Sequence, residues 1–409
     1  MKKIITIVLL LLPGWLLGQN KPNAAKKNHP FDVIKKEEIN LSVTATKIYE
    51  TKFGKVYFYT TNKEVKNIEQ GYFKGFRIEE SQNGIKIKNK NIGLSSQEIP
   101  LFINGSFLFT KKIFLDTTYY TELRKYSIGK TDINLIDKIR INNIEINLLV
   151  EEKNGHIAIS DCSEGYGTYV KVYDANFKEI LNYFPFNKEG YADVHYSFDG
   201  DNIGIVSTNN DRTETKISFI SLCDNELIFE SFLNTSFVSN IKVSSEKLLI
   251  YYADAENIRT ISCFESTGNI LWKIYKNTQQ HIIAPYVCNN FLYNYNQDTL
   301  SVIDLKNGKE IWKKSVSSYL KNKIENQKYL LLDLISENND DIFLIVGKGN
   351  TNNKKEIFFD DLIMIQLNEF GNKINSFNID GHTNNAYLSF FESKLYLLID
   401  KKLEIYEKK

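Results

Sequence analysis

Asp360 and Asp361 set two carboxyl groups side by side. Such a pair can divide into a general acid and a general base when its surroundings split the two pKa values. Their flanks, Ile357-Phe358-Phe359 before and Leu362-Ile363-Met364-Ile365 after, suit a strand edge or a hairpin turn better. Two other runs, Asp199-Gly200-Asp201-Asn202 and Asn338-Asn339-Asp340-Asp341, look superficially like calcium loops. A calcium loop needs several oxygen ligands at alternate positions and often a late bidentate Glu. Neither run supplies them, and Asp-Gly or Asn-Asp pairs between strands form turns for local reasons. The five histidines (His29, His156, His195, His281 and His382) never fall at metal-ligand spacing. Cys162, Cys223, Cys263 and Cys288 are far apart and allow three pairings, so one bridge and buried free thiols both stay open. No Gly-x-Ser-x-Gly elbow, His-Glu-x-x-His pair or Gly-rich phosphate loop is present. The residues therefore assign no catalytic, cofactor-binding or metal position, and a non-enzyme is expected.

Any site must then come from side chains that the fold gathers, and the fold is written in a repeated hairpin. In LSVIDLKNGKEIWK, Leu300 to Lys313, an alternating strand leads through Asn307-Gly308 into a second strand carrying Trp312. Asn-Gly between strand-like runs is a strong hairpin signal, with positive φ expected at both central residues. Forty residues earlier the unit recurs as ISCFESTGNILWK, with Gly268 in the turn and Trp272 in the place of Trp312. In HYSFDGDNIGIVS, Asp199 and Gly200 make a turn, and Ile203, Ile205 and Val206 belong to the next strand.

Aligned on one hairpin, the units begin at Phe76, Lys125, Val170, Ile217, Thr260, Leu300 and Ile363, with a last one at Lys402. Most lie about 40–48 residues apart, the length of a four-stranded propeller blade. The one long gap holds Gly347 to Glu356, an Asn- and Lys-rich stretch expected as a loop insertion. An all-β propeller of eight four-stranded blades follows, with seven as the alternative count. The final unit stops after its third strand, so an N-terminal strand around Leu41 to Tyr49 is expected to close the ring. Asp32 to Glu38 and Ser315 to Lys328 are candidate short helices. The basic run Lys86 to Lys90 reads as the solvent face of a strand.

Gly268 with Trp272, and Gly308 with Trp312, resemble the Gly-x-x-x-Trp repeat of quinoprotein-type (PQQ-like) propellers. The His195–Ser207 unit is similar to the Ser-x-Asp-Gly repeat of WD-type and Tol-type propellers. The resemblance covers about a third of the chain and implies a propeller in which each Trp docks between adjacent blades. Quinoprotein dehydrogenases carry a vicinal cysteine pair over the cofactor. No two cysteines are adjacent here, so the resemblance implies the branch without cofactor. That branch includes an accessory subunit of the outer-membrane protein assembly machine, which implies a scaffold in the cell envelope.

The N-terminus agrees with export. Lys2 and Lys3 precede an apolar run, Ile4 to Leu12, and Leu16-Leu17-Gly18 offers a cleavage site, so residues 1–18 read as a signal peptide. The run is too short for a membrane span. No cysteine follows it for lipid attachment. Residues 19–40 read as a flexible leader, and 41–409 as one propeller domain. The formal charge is +1, from 51 basic and 50 acidic residues, so nothing marks a nucleic-acid or anionic-membrane partner. The expectation is an exported, non-catalytic scaffold for an envelope protein, periplasmic in preference to extracellular. A glycan held by tyrosines such as Tyr119, Tyr120, Tyr251, Tyr252, Tyr293 and Tyr295 is the alternative, and a hydrolase or lyase built from blade loops is a further one.

Overall fold

The computed structural model describes residues 33–40, 45–64 and 79–408, apart from short stretches of which the longest are 187–191, 277–285, 321–328 and 352–356. The described residues form eight four-stranded antiparallel sheets in a ring, a β-propeller. Blades 1 to 7 span Ala45–Gly93, Glu98–Ile141, Asn147–Tyr183, Ala192–Leu233, Thr235–Lys276, Tyr286–Ser315 and Tyr329–Ile379. Blade 8 takes three strands from Ala386–Lys408 and its fourth from Val33–Asn40. Strands run inner to outer in chain order in blades 1 to 7, and in blade 8 Val33–Asn40 lies outside the other three. The middle strands are covered on both faces by neighbouring blades, so they read as continuous apolar runs such as Ile342–Val346.

All eight repeat units fall on a third strand or on the hairpin it makes with the outer strand. The long gap is a strand extension: Lys348–Thr351 pairs with Ile357–Asp360 as a hairpin that lengthens blade 7. Asn83-Gly84 lies inside the strand Glu79–Ile87, and the chain reverses at Lys88, whose φ is +54°. Gly84 serves a close approach, since a Cβ there would lie 2.3 Å from the Tyr59 hydroxyl.

Three expectations at the chain ends are corrected. The closing strand is Val33–Asn40, antiparallel to Lys402–Lys408, and Ala45–Thr51 is the inner strand of blade 1. The end of the supposed leader is thus structural, and Asp32–Glu38 is no helix. Its strand is held largely by polar contacts: Lys35 Nζ lies 2.7 Å from the buried Glu404 carboxylate, and Glu38 pairs with Lys35 and Lys402. From Ser315 onward, one 3-10 turn, Ser317–Tyr319, replaces the expected helix, and 321–328 lies outside the described residues.

The outer hairpins explain how blades join. At Gly308 the turn has a four-residue loop: the Gly308 N–H donates to Asp304 O at 2.8 Å, and the Asp304 N–H to Lys309 O at 3.0 Å. Only Gly308 has positive φ, +69°, so the expected two-residue Asn-Gly turn is replaced by a longer turn with a bulge. The same left-handed position is filled by Phe177, Asn225, Gly268 and Gly371 in blades 3, 4, 5 and 7. Four residues beyond it stand Leu181, Phe229, Trp272 and Trp312 in blades 3 to 6. Three of these rings lie on the turn of the next blade. Phe229 covers Gly268, Trp272 covers Gly308 and Trp312 covers Gly371, while Trp272 Nε1 donates to Leu305 O at 2.9 Å and Trp312 Nε1 to Glu369 O at 2.7 Å. The two tryptophans thus dock between blades, with Lys273 and Lys313 exposed beside them.

Trp272→Ala should cost about 3–5 kcal/mol, as for other buried aromatic deletions. Gly308→Ala should also destabilise, because its Cβ would sit 2.6 Å from the Trp272 ring at a positive φ. In the double variant the clash is gone, so urea unfolding should show coupling of about 0.5–3 kcal/mol; strict additivity would refute the contact. Removing residues 1–40 should lower the unfolding midpoint and promote aggregation seen by light scattering, whereas removing 1–32 should change neither.

Candidate interaction face

Four antiparallel strands per blade place the second-to-third-strand turns and the inter-blade connections at one end of the ring, the connection face. Buried polar groups collect near it. In blade 2 the Glu98 carboxylate, 1% exposed, accepts from Thr110 Oγ1 at 2.7 Å, Tyr126 Oη at 2.6 Å, Arg124 at 3.3 Å and Ser95 Oγ. Arg124 also donates to Glu122, which accepts from Lys138 Nζ at 2.9 Å. In blade 3, Asp161 accepts from Tyr169 Oη at 2.8 Å and from Asn143. Blade 8 repeats the device at Glu404, held by Lys35, Lys402 and Tyr406.

Burial works against the charge of Glu98, Glu122 and Glu404. Hydrogen bonds outweigh it: Ser95, Tyr126 and Thr110 at Glu98, Lys138 and Arg124 at Glu122, and Lys35, Lys402 and Tyr406 at Glu404. All three carboxyls are held below the usual range. Burial and the Glu98 bond push Tyr126 up to about 12. A carboxylate held ionised and shared among fixed donors is a clamp; it has no proton to lend at neutral pH.

The acidic runs noted in the sequence serve the frame. Asp199 Oδ2 accepts the Ser245 N–H of blade 5 at 2.5 Å, Asp201 O accepts the Leu222 N–H at 2.7 Å, and Gly200 has φ +58° in the turn between them. Asp360 and Asp361 lie within the third strand of blade 7, by the bulge between Val346 and Lys348, and so form neither a hairpin turn nor a sheet edge. Tyr329 Oη donates to Asp361, which has φ +50°, and Asp360 faces Lys348 across the ladder. Asp341 accepts from Gln366 Nε2 at 2.9 Å; 338–340 lie outside the described residues. Among the described residues, no three His, Cys, Asp or Glu side chains are grouped to hold a metal ion. His156 and His195 stand in blades 3 and 4, and the other three histidines lie outside the described residues. Cys223, Cys263 and Cys288 are free thiols, and burial pushes Cys263 up to about 12; the side chain of Cys162 is outside the described set.

Of the six tyrosines considered for sugar stacking, Tyr251, Tyr252, Tyr293 and Tyr295 are core. Tyr120 stacks on Phe114 with centroids 4.4 Å apart, under the Arg140 guanidinium at 3.9 Å. Tyr119 is exposed, as are Tyr275 and Tyr387.

An aromatic group at the connection face lies where blades 3, 4 and 5 follow one another. Phe232 ends the outer strand of blade 4 and is 60% exposed, and Phe237, near the start of the inner strand of blade 5, is 54% exposed. Lys216 Nζ stands 5.7 Å from the Phe186 ring and 5.9 Å from Phe232, while pairing with Glu230 at 3.2 Å. Tyr183 Oη donates to Glu230 at 3.3 Å and meets Ser218 Oγ at 2.6 Å. Exposed rings around an oriented ion pair have the composition of a protein-binding hot spot. Sequence reasoning did not find this patch. Its signal was FLNTSF, Phe232 to Phe237, two aromatics in a connection that should be polar.

The fold is similar to that of the computationally designed protein Ika8, with a TM-score of 0.52 at 13% identity over 90% of this chain and 97% of that one. It is also similar to the Dos1 propeller, with a TM-score of 0.53 at 12% identity over 92% and 95%. At such identities the likeness shows the fold alone. No protein-family model and no curated protein sequence matches the chain. The propeller fold supports a scaffold or binding role in general.

The carboxylate clamps predict an acid limit. A carboxyl with a depressed folded pKa stabilises fully above its unfolded value, about 4.3, and that stability is lost as pH falls through the folded value. Glu98→Gln should therefore cost about 1.5–3 kcal/mol at pH 7, and the gap to wild type in urea unfolding should narrow below about pH 4. A gap that stays constant with pH would exclude the clamp.

Proposed function

We propose that the chain is an exported, non-catalytic propeller of the quinoprotein-like repeat type that acts as a protein-binding scaffold in the cell envelope, on the periplasmic side. The observation that carries this reading is the Lys216–Glu230 pair flanked by the half-buried Phe186 and the exposed Phe232, with the exposed Phe237 following at the start of the next blade, on a frame whose buried carboxylates are engaged within it. The basic and apolar N-terminus supports export. Rigid display lowers the ordering cost of binding, which suits a ring cross-tied from blade to blade. A glycan partner is the second reading. It draws on the exposed Tyr119, Tyr275 and Tyr387, which belong to blades 2, 5 and 8 and form no single platform.

Affinity capture of the tagged protein from gently solubilised envelopes tests the proposal. Wild type should retain an envelope protein at near-stoichiometric yield through washing. Phe232→Ser with Phe237→Ser should lose about tenfold or more of that yield, the scale of a 1.4 kcal/mol hot spot, while melting normally. Recovery of the propeller alone, or equal capture by the variant, would overturn it.

A further inference from the structure

The rim of a propeller is a circle of sheet edges, each with unpaired backbone N–H and C=O groups that can accept another strand. The outer strands of blades 1, 2, 5, 6, 7 and 8 all carry lysine or arginine, such as Lys138 and Arg140 in Ile133–Ile141 or Lys273 and Lys276 in Ile270–Lys276. Edge lysines deter strand addition, because pairing would strip their water. The outer strand of blade 3, Glu179–Tyr183, lacks them but is only five residues long and exposes no large apolar side chain. The outer strand of blade 4, Glu226–Leu233, is different. It is eight residues long, has no lysine, arginine or proline, and exposes Leu227, Ile228 and Phe232.

Its charge is one-sided as well. Glu226 and Glu230 are exposed along the strand and Asp224 lies in the turn before it. The one cation touching the strand's acids among the described ion pairs is Lys216, already committed to Glu230. The bulge at Ile228 interrupts the ladder, so the regular edge runs from Phe229 to Leu233 and ends at the aromatic patch.

We propose that this edge takes up an extended, basic segment of a partner protein as a fifth strand of blade 4. The proposal rests on the protein-binding reading above and supplies its mode. Main-chain hydrogen bonds to Phe229–Leu233 give the grip, and lysine or arginine on one face of the incoming strand lies beside Glu230 and Phe232, which share a face of the sheet, with the charge toward the carboxylate and the aliphatic stem over the ring. The six guarded outer strands turn the same segment away, which makes blade 4 the address.

Three fluorescein-labelled ten-residue peptides test this with the full chain: alternating Val-Lys, the same peptide with two central valines changed to proline, and alternating Val-Glu. Anisotropy should show the Val-Lys peptide binding at least tenfold more tightly than either control, and hydrogen exchange should slow across 229–233. Glu226→Lys with Glu230→Lys should weaken Val-Lys binding by at least tenfold and strengthen Val-Glu binding. Phe232→Lys, which leaves the Lys216 pair intact, should weaken Val-Lys binding separately, guarding against a charge variant that folds poorly. Equal binding of the proline peptide, or protection on another outer strand, would overturn strand addition. If the envelope partner is still captured by Glu226→Lys with Glu230→Lys, strand addition fails and the scaffold stands; if wild type captures nothing, the scaffold itself fails.

Discussion

Blades 4, 5 and 6 each lean on the next through one contact: a large side chain on the outer strand covers a left-handed turn residue of its neighbour. The ring over Gly308 shows why the two positions are linked. Trp272 fills the space a side chain would need, and the turn's positive φ removes any reason to have one. Phe229 over Gly268 and Trp312 over Gly371 repeat the device with different partners. Because each contact joins two blades, no blade of this stretch is stable independently of its neighbour, and the disc is stiffened at its rim, where leverage is greatest. The buried polar groups near the connection face complement it there. Glu98 and Glu404 gather hydroxyl and cationic donors from separate strands, and the depressed pKa of each is the measure of how well those donors are placed.

Much of this fold could be read from the chain. The four-residue interval from turn glycine to tryptophan, the repeat length and the near-continuous apolar middle strands all follow from blades that pack face to face. Where reading failed, the cause was local ambiguity resolved by tertiary contacts. Asn83-Gly84 has turn chemistry, but Tyr59 needs the space above Gly84, so the pair stays in a strand. Asn307-Gly308 has the chemistry of a two-residue turn, but the bulge opposite Val302 and Ile303 comes with a longer loop. Val33–Asn40 has no apolar alternation, because a strand on the rim has water on one side and is held by Lys35 and Glu38.

The candidate face was far less legible. Phe186, Lys216, Glu230 and Phe232 come from two strands and a connection, and nothing in their spacing announces that they meet. The tyrosine pairs that looked like a sugar platform were mostly interior, because a residue on a middle strand of a blade has a neighbouring sheet on each side. The Asp199–Asn202 run that looks like a metal loop joins blades, since Asp199 reaches Ser245 and Asn154 reaches Asp201, while Asp341 of the other run is bonded within blade 7. Binding surfaces on a repeat scaffold are made by departures from the repeat, and such departures are visible only against the structure of the repeat itself.

The closing strand carries a consequence for how the molecule comes into being. Lys35 and Glu404 are 369 residues apart in the chain, yet they share an ion pair in one sheet. Val33–Asn40 must wait for Lys402–Lys408, so the ring cannot mature progressively in chain order as an open solenoid can. Seven blades can assemble in sequence, but the final bond is a loop closure of nearly the whole chain, a contact of the highest order the molecule possesses. Until it forms, the nascent disc has two raw edges, at Lys402–Lys408 and at its own first strand. Arrival of Lys402–Lys408, and not completion of any earlier blade, is therefore the event that lets the ring close.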